Sequence, residues 1–268
     1  MNITFSSCFY IIKSKFCKET YINWMNKFIS IVKNFYLVIY TDEISNKYID
    51  TKNNPYIKII IKPMTNFYNY KYKEFWIKNH KQNYLLNENS IYNTEWELNM
   101  LWSEKISFVE ETYKNKYFIT EYYGWCDIGY FRNLYENSIK LYYEWPLDIK
   151  ILSFNKEKIH YAFVNNDNLF MNNLKKQVTN KSNMGLPIIS IPPDKVSIAG
   201  GFFITYKDNI EWWKKTYDDK LLLYFQNNHL VKDDQIIIVD CIFSDEKMFE
   251  LHKSNIDEDY FLFKDSLL

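Results

Sequence analysis

Apolar and polar positions alternate along the N-terminal part of the chain in a way that separates three elements. Residues 3–12 are rich in Phe, Tyr and Ile and stop at Ser14-Lys15, which predicts a buried first strand. Tyr21, Trp24, Met25, Phe28, Ile31 and Val32 then recur at helical spacing over a stretch free of Gly and Pro. Two short apolar runs follow, 35–40 ending in Thr41-Asp42-Glu43, and 56–61 stopped by Pro63. Strand, helix, strand in that order implies a parallel βαβ unit.

Residues 66–93 mix aromatic and polar positions without a period and predict no definite element. Thr94-Glu95-Trp96-Glu97 reads as a capping box opening one long helix, with an apolar stripe of Leu98, Leu101, Trp102, Ile106, Val109 and Tyr113. Lys105 lies beside that stripe, where a lysine either snorkels to water or faces a ligand. Further on, 150–154 and 159–164 predict two more strands, and the Asn- and Lys-rich run 165–182 predicts a mobile surface segment of the kind that shapes binding sites. Residues 196–205 form a strand interrupted by Gly200-Gly201. Asp208 opens a helix running to about 225, Asp233 opens a last short one, and a final strand falls near 249–252.

The chemistry concentrates in YYGWCDIGYFR, Tyr122 to Arg132, which follows the β-rich run 117–120. In open α/β sheets ligands bind beyond the carboxyl ends of strands, where an acid such as Asp127 can hold a divalent cation against a diphosphate. Gly129 would let backbone approach that ligand. The alternative is that Asp127 caps a short helix and Trp125 is ordinary core. The chain has only five glycines. Two flank Asp127 and two sit inside a strand, a placement that marks either a shared ligand site or tight strand packing. At Asp233-Asp234-Gln235 both acids suit a helix start, and a carboxylate there could also act as a base or bind sugar hydroxyls.

Composition narrows the reading. Lys+Arg and Asp+Glu balance at 33 each in 268 residues, so no global field recruits nucleic acid or an anionic membrane. Cys8, Cys17, Cys126 and Cys241 show neither CxxC nor Cys/His ligand spacing, which argues against structural zinc and a disulfide framework. No apolar run is long enough to span a bilayer and no signal-peptide pattern opens the chain, so a cytoplasmic, unprocessed protein of one domain is expected.

The order of Ser14-Lys15-Phe16 with Trp24, Leu37 to Asp42, Leu98 with Trp102 and Lys105, Trp125 to Gly129, Ala199 to Phe203, and Asp234-Gln235 resembles the HtrL/YibB family over about residues 3–250. That family is similar to GT-A glycosyltransferases. The resemblance implies an α/β fold, a Rossmann-like α/β/α sandwich around a mixed, mostly parallel sheet. It also implies a nucleotide-binding half at about 1–130 and an acceptor-side half at about 131–268. GT-A enzymes typically hold Mn²⁺ or Mg²⁺ with Asp-x-Asp, whereas here Asp127-Ile128-Gly129 keeps only the first acid.

The implied activity is sugar transfer from a nucleotide-diphosphate donor to a carbohydrate or protein hydroxyl acceptor. Asp127 and His252 would bind the metal, and Lys15, Lys105, Trp125, Gly129, Gly200, Gly201 and Gln235 the donor, with the two glycines giving the sugar room. Asp234, with Asp233, would supply the catalytic carboxylate on the acceptor side. The alternative on the same fold is a catalytically silent nucleotide- or carbohydrate-binding module.

Overall fold

A computed structural model describes residues 1–255 and 259–268. In chain order the elements are β1 (Ile3–Phe9), α1 (Lys18–Ser30), β2 (Tyr36–Thr41), the single turn α2 (Glu43–Asn46) and β3 (Ile57–Ile61). Next come α3 (Lys73–Gln82), α4 (Trp96–Ser103), α5 (Lys105–Lys114), β4 (Tyr122–Cys126), α6 (Asp148–Leu152) and β5 (Ile159–Phe163). The chain continues through α7 (Asn168–Thr179), β6 (Ile198–Tyr206), α8 (Ile210–Gln226), α9 (Asp234–Ser244), β7 (Phe249–Lys253) and α10 (Leu262–Ser266).

The strands form one seven-stranded sheet in the order β3-β2-β1-β4-β6-β5-β7. Only β6 runs against its neighbours, and every other pairing is parallel. Side chains alternate across each strand, so a period of two divides the apolar residues between the faces. Val38, Tyr40, Tyr123, Trp125 and Phe203 face one core with helices α4, α5, α8 and α9. Leu37, Ile39, Tyr122, Cys126, Phe202 and Ile204 face the other, against α1 and α10. The expected α/β/α sandwich with a mixed, mostly parallel sheet is therefore the observed one. Among the described residues, no helix is long and apolar enough to cross a membrane.

The first βαβ unit forms as the pattern predicts, and five local expectations are corrected. Thr94 does not close a capping box. Its hydroxyl donates to the Leu86 carbonyl at 2.7 Å, and the helix begins after Glu95 with no side-chain cap. The single long helix is two, α4 and α5, interrupted at Glu104. That buried carboxylate accepts from the backbone amides of Tyr68 and Asn69 at 2.7 and 3.0 Å, tying the break to the turn beneath it. Burial pushes Glu104 up to about 7, against those amide bonds.

The strand expected at 150–154 is the short helix α6, whose Ile151 is buried while Ile149 and Leu152 face outward. The mobile segment expected at 165–182 is the ordered helix α7. Asp167 caps it through the Leu169 and Phe170 amides, and Met171, Leu174 and Val178 bury one face. The polar residues that suggested disorder occupy its other face. The strand at the centre of the motif also begins later than the run 117–120, at Tyr122.

Candidate functional site

The chain leaves β1 toward β2 on one side of the sheet, while β4 lies on β1's other side. This is a topological switch point, and the crevice beyond the carboxyl ends of such strands is where open α/β sheets bind ligands. A cavity of about 280 Å³ opens there. Cys8, Phe9 and Tyr10 reach it from the end of β1, Asp127 to Tyr130 follow β4, and Ala199 to Gly201 come from the start of antiparallel β6. The amino end of α9 contributes Asp233, Asp234 and Gln235, and α4 with the first residue of α5 brings Leu98, Trp102 and Lys105.

Lys105 is the hub. The break at Glu104 places it at the first position of α5, buried, with its ammonium donating to the Gly200 carbonyl at 2.9 Å. The same nitrogen lies 3.0 Å from Asp234 Oδ2 and 3.3 Å from Asp127 Oδ1. It does not snorkel, because two carboxylates and a carbonyl replace water around it. Burial works against the charge, but Asp127 and Asp234 outweigh it and hold the Lys105 pKa above the ordinary lysine range. Burial pushes Asp234 up to about 6, opposed by Lys105 and reinforced by Asp233.

Asp127 is set differently from Asp234. The buried Trp125 indole donates to Asp127 Oδ1 at 2.6 Å, and the Asp127 amide bonds the Gly201 carbonyl at 2.9 Å, so the turn is anchored on both sides. Its side chain is 41% exposed, against 6% for Asp234, and so presents a carboxylate to the cavity. Trp125 is thus both core and the group that orients the acid. Asp233 caps α9 through the Gln235 amide at 3.2 Å and pairs with Lys232 at 2.6 Å.

The glycines make room for protein rather than for open space. A Cβ on Gly200 would lie 2.8 Å from Asp234 Oδ2 and 3.1 Å from Gln235 Cγ, and one on Gly201 would lie 3.0 Å from Asp127 Oδ2. A Cβ on Gly129 would strike the Trp24 ring at 2.7 Å. Gly200 and Gly201 therefore admit the two carboxylates that grip Lys105, and Gly129 admits the cavity wall. Gly200→Ala is expected to cost about 1–3 kcal/mol by overpacking against the buried Asp234. Gly201→Ala should cost less, because the half-exposed Asp127 can turn aside. Urea unfolding of both variants checks the order, and equal losses would show that the Asp234 contact is not special.

Two more cations line the cavity. Lys15 sits over the rings of Tyr92 and Trp102, at 4.7 and 5.0 Å, and burial with the nearby Lys232 lowers its pKa. Arg132 lies between Trp24 and Phe261, at 5.0 and 4.8 Å from their ring centres, with no ion-pair partner among the described residues. Sequence reasoning passed over Arg132, although it is the chain's single arginine among 33 basic residues. That rarity was a usable signal, since a guanidinium stacked on aromatics with a free fork is suited to phosphate.

Of the residues proposed from sequence, Lys15, Lys105, Trp125, Asp127, Gly129, Gly200, Gly201, Asp233, Asp234 and Gln235 all line this cavity. His252 does not. It lies on β7, separated from β4 by β6 and β5, which places it roughly 14 Å away at ordinary strand spacing. A metal shared by Asp127 and His252 is therefore ruled out by the strand order.

The fit of a divalent cation to the remaining site is specific. Asp127 Oδ1 is engaged by Trp125 and Lys105, and Asp234 faces Lys105, so the protein presents one carboxylate, through Oδ2 of Asp127. That donor set suits an Mg²⁺- or Mn²⁺-class ion that completes its shell with a ligand's phosphates and water, not an ion caged by protein alone.

No family model matches the chain, and no curated protein matches it in sequence. Among solved structures it is similar to mouse xyloside xylosyltransferase 1 in its apo form, at 11% identity and a TM-score of 0.46, over 94% of this chain and 85% of that one. A likeness at that level fixes neither substrate nor chemistry.

Proposed function

We propose that the chain is a glycosyltransferase that moves a sugar from a nucleotide-diphosphate donor to a hydroxyl acceptor. The observation that carries this reading is the cavity at the β1/β4 switch point. There a buried lysine fixes two carboxylates, and two aromatic-backed cations stand free to meet anionic charge. The motif order that resembles HtrL/YibB proteins supports the same reading. In it the donor is held chiefly by residues 1–130, and the acceptor meets the side built from β6 and α9.

Each group then has a task. Lys15 and Arg132 neutralise charge growing on the diphosphate leaving group, where preorganised cations in a water-poor site act most strongly. Asp127 would hold the divalent cation, which when bound supplies further charge stabilisation to that diphosphate. Lys105 keeps Asp127 and Asp234 in fixed rotamers. Asp234, with a pKa near 6, is tuned to take the proton of an acceptor hydroxyl at neutral pH, and Asp233 holds the start of its helix. Trp125, Gly200, Gly201 and Gln235 shape the wall around the sugar.

The test is thermal stabilisation by UDP, GDP, CDP and their sugar conjugates, each with and without Mn²⁺. A nucleotide at a hundred times its dissociation constant adds about 2.7 kcal/mol of stability. Arg132→Ala should weaken that binding by about 1.5–3 kcal/mol, the worth of a charge-assisted bond. No shift with any of them would overturn the donor site.

One observation favours the second reading, a nucleotide- or carbohydrate-binding module without turnover. Lys105 already neutralises both carboxylates as their ion-pair partner, in a motif whose second acid is replaced by glycine. Nucleoside diphosphate release above a no-enzyme control rejects that reading, while binding with no release under any acceptor or water supports it.

A further inference from the structure

At the far edge of the sheet a second cluster has no part in the cavity. In parallel register His160 of β5 pairs with Glu250 of β7, and Ala162 pairs with His252. Glu250 and His252 are two residues apart on one strand, so both side chains emerge on the face that carries His160. Among the described residues this is the one trio of His, Cys, Asp or Glu whose ligand atoms all lie within 4.8 Å of one another.

We propose that His160 Nδ1, His252 Nε2 and a Glu250 carboxylate oxygen form a binding site for a zinc-class divalent ion, with one position left to water. The nitrogens are 3.0 Å apart; Glu250 Oε2 lies 3.7 Å from His160 Nδ1, and Glu250 Oε1 lies 4.0 Å from His252 Nε2. Metal bonds of 2.0–2.1 Å in a tetrahedron require ligand separations of about 3.4 Å, so the histidines would part slightly and the exposed Glu250 side chain would turn to bring one oxygen toward both nitrogens. Two imidazoles and a carboxylate select a zinc-class ion over Mg²⁺ or Ca²⁺, which prefer all-oxygen shells.

The surroundings of the trio fit the same role. The fully buried His160 turns its other nitrogen, Nε2, to the Asn155 carbonyl at 3.0 Å. That bond places the proton on Nε2 and leaves the Nδ1 lone pair facing the trio, the outer-shell arrangement that orients metal-binding histidines. Phe154 covers the cluster, its ring centre 4.5 Å from His160 and 5.4 Å from His252, and Phe263 of α10 lies 5.2 Å from His252. The apolar cover shields one side. The other is open, since β7 is an edge strand with 26% of the His252 side chain and 47% of the Glu250 side chain exposed. An ion there would tie the edge strand to β5 beside the C-terminal helix.

Without metal, the same atoms make a His252 to His160 hydrogen bond with a nearby carboxylate, and the experiment must separate the two. Isothermal titration of the full chain with Zn²⁺, in a Cys17→Ser background to silence the exposed thiol, should give one site per chain. Co²⁺ should give the intense visible bands of a four-coordinate ion. His252→Ala should weaken Zn²⁺ binding at least about 100-fold, since loss of an outer-shell partner alone costs 10–100-fold. Glu250→Gln keeps the size of a half-exposed side chain, and should weaken binding while leaving the melting temperature without metal unchanged. Asp127→Ala should leave the site intact. Absence of a stoichiometric site in the parent chain, or binding that survives both His252→Ala and Glu250→Gln, would overturn the assignment.

Discussion

Lys105→Met is expected to cost the folded state about 3–5 kcal/mol at pH 7, the typical loss when one partner of a buried ion pair is removed. The ammonium is the counter-charge of the 6%-exposed Asp234, and methionine fills the volume without supplying charge. The pH dependence identifies the cause. In the folded chain burial holds Asp234 up to about 6, whereas unfolded it titrates near 3.9. Between those values the folded state binds the extra proton, so this group's contribution to stability falls as pH rises from about 4 to about 6.

Removing Lys105 raises the folded pKa of Asp234 further and extends the falling limb upward. The gap between variant and parent should therefore be wide at pH 7.5 and narrow at pH 5.5. Adding Asp234→Asn should recover part of the loss by removing the stranded charge. Urea unfolding across that pH range measures both effects, and a gap independent of pH would mean that packing, not charge, is what Lys105 supplies.

Most of this cavity was legible because its parts lie at strand ends and helix starts, which periodicity marks. Asp127 follows an apolar run, and Asp233 and Asp234 open a helix for which the same acids are good caps. The break between α4 and α5 was not legible. Its cause is a contact from Glu104 to the amides of Tyr68 and Asn69, some 35 residues away, within a region that has no period. Without the break Lys105 reads as a surface lysine beside an apolar stripe. His252 failed for a related reason. Strand order is a tertiary fact, and two strands that arrive later in the chain, β5 and β6, stand between β7 and the motif. For α7, the Asn- and Lys-rich outer face outweighed a buried stripe of three residues.

Asp127→Asn separates chemistry from architecture. The substitution keeps the side chain's size, and its amide oxygen can still accept from the Trp125 indole, so the turn after β4 should persist. Lys105 retains Asp234 and the Gly200 carbonyl. What disappears is the charge on the carboxylate that faces the cavity. Stability without ligand should change by about 1 kcal/mol or less, because the lost ion pair involves a carboxylate that is 41% exposed and screened by water.

On the proposed reading, nucleotide binding without metal should survive in this variant, because Lys15 and Arg132 would provide it. The added stabilisation by Mn²⁺ should vanish, and sugar transfer should fall about 10²–10³-fold, comparable to losing one preorganised electrostatic contact in an active site. If the Mn²⁺ increment persisted, the cation would be held elsewhere. If transfer and the metal increment both survived, the residues that do the chemistry would have to be sought among Lys15, Arg132 and the α9 acids, with Asp127 reduced to anchoring Lys105.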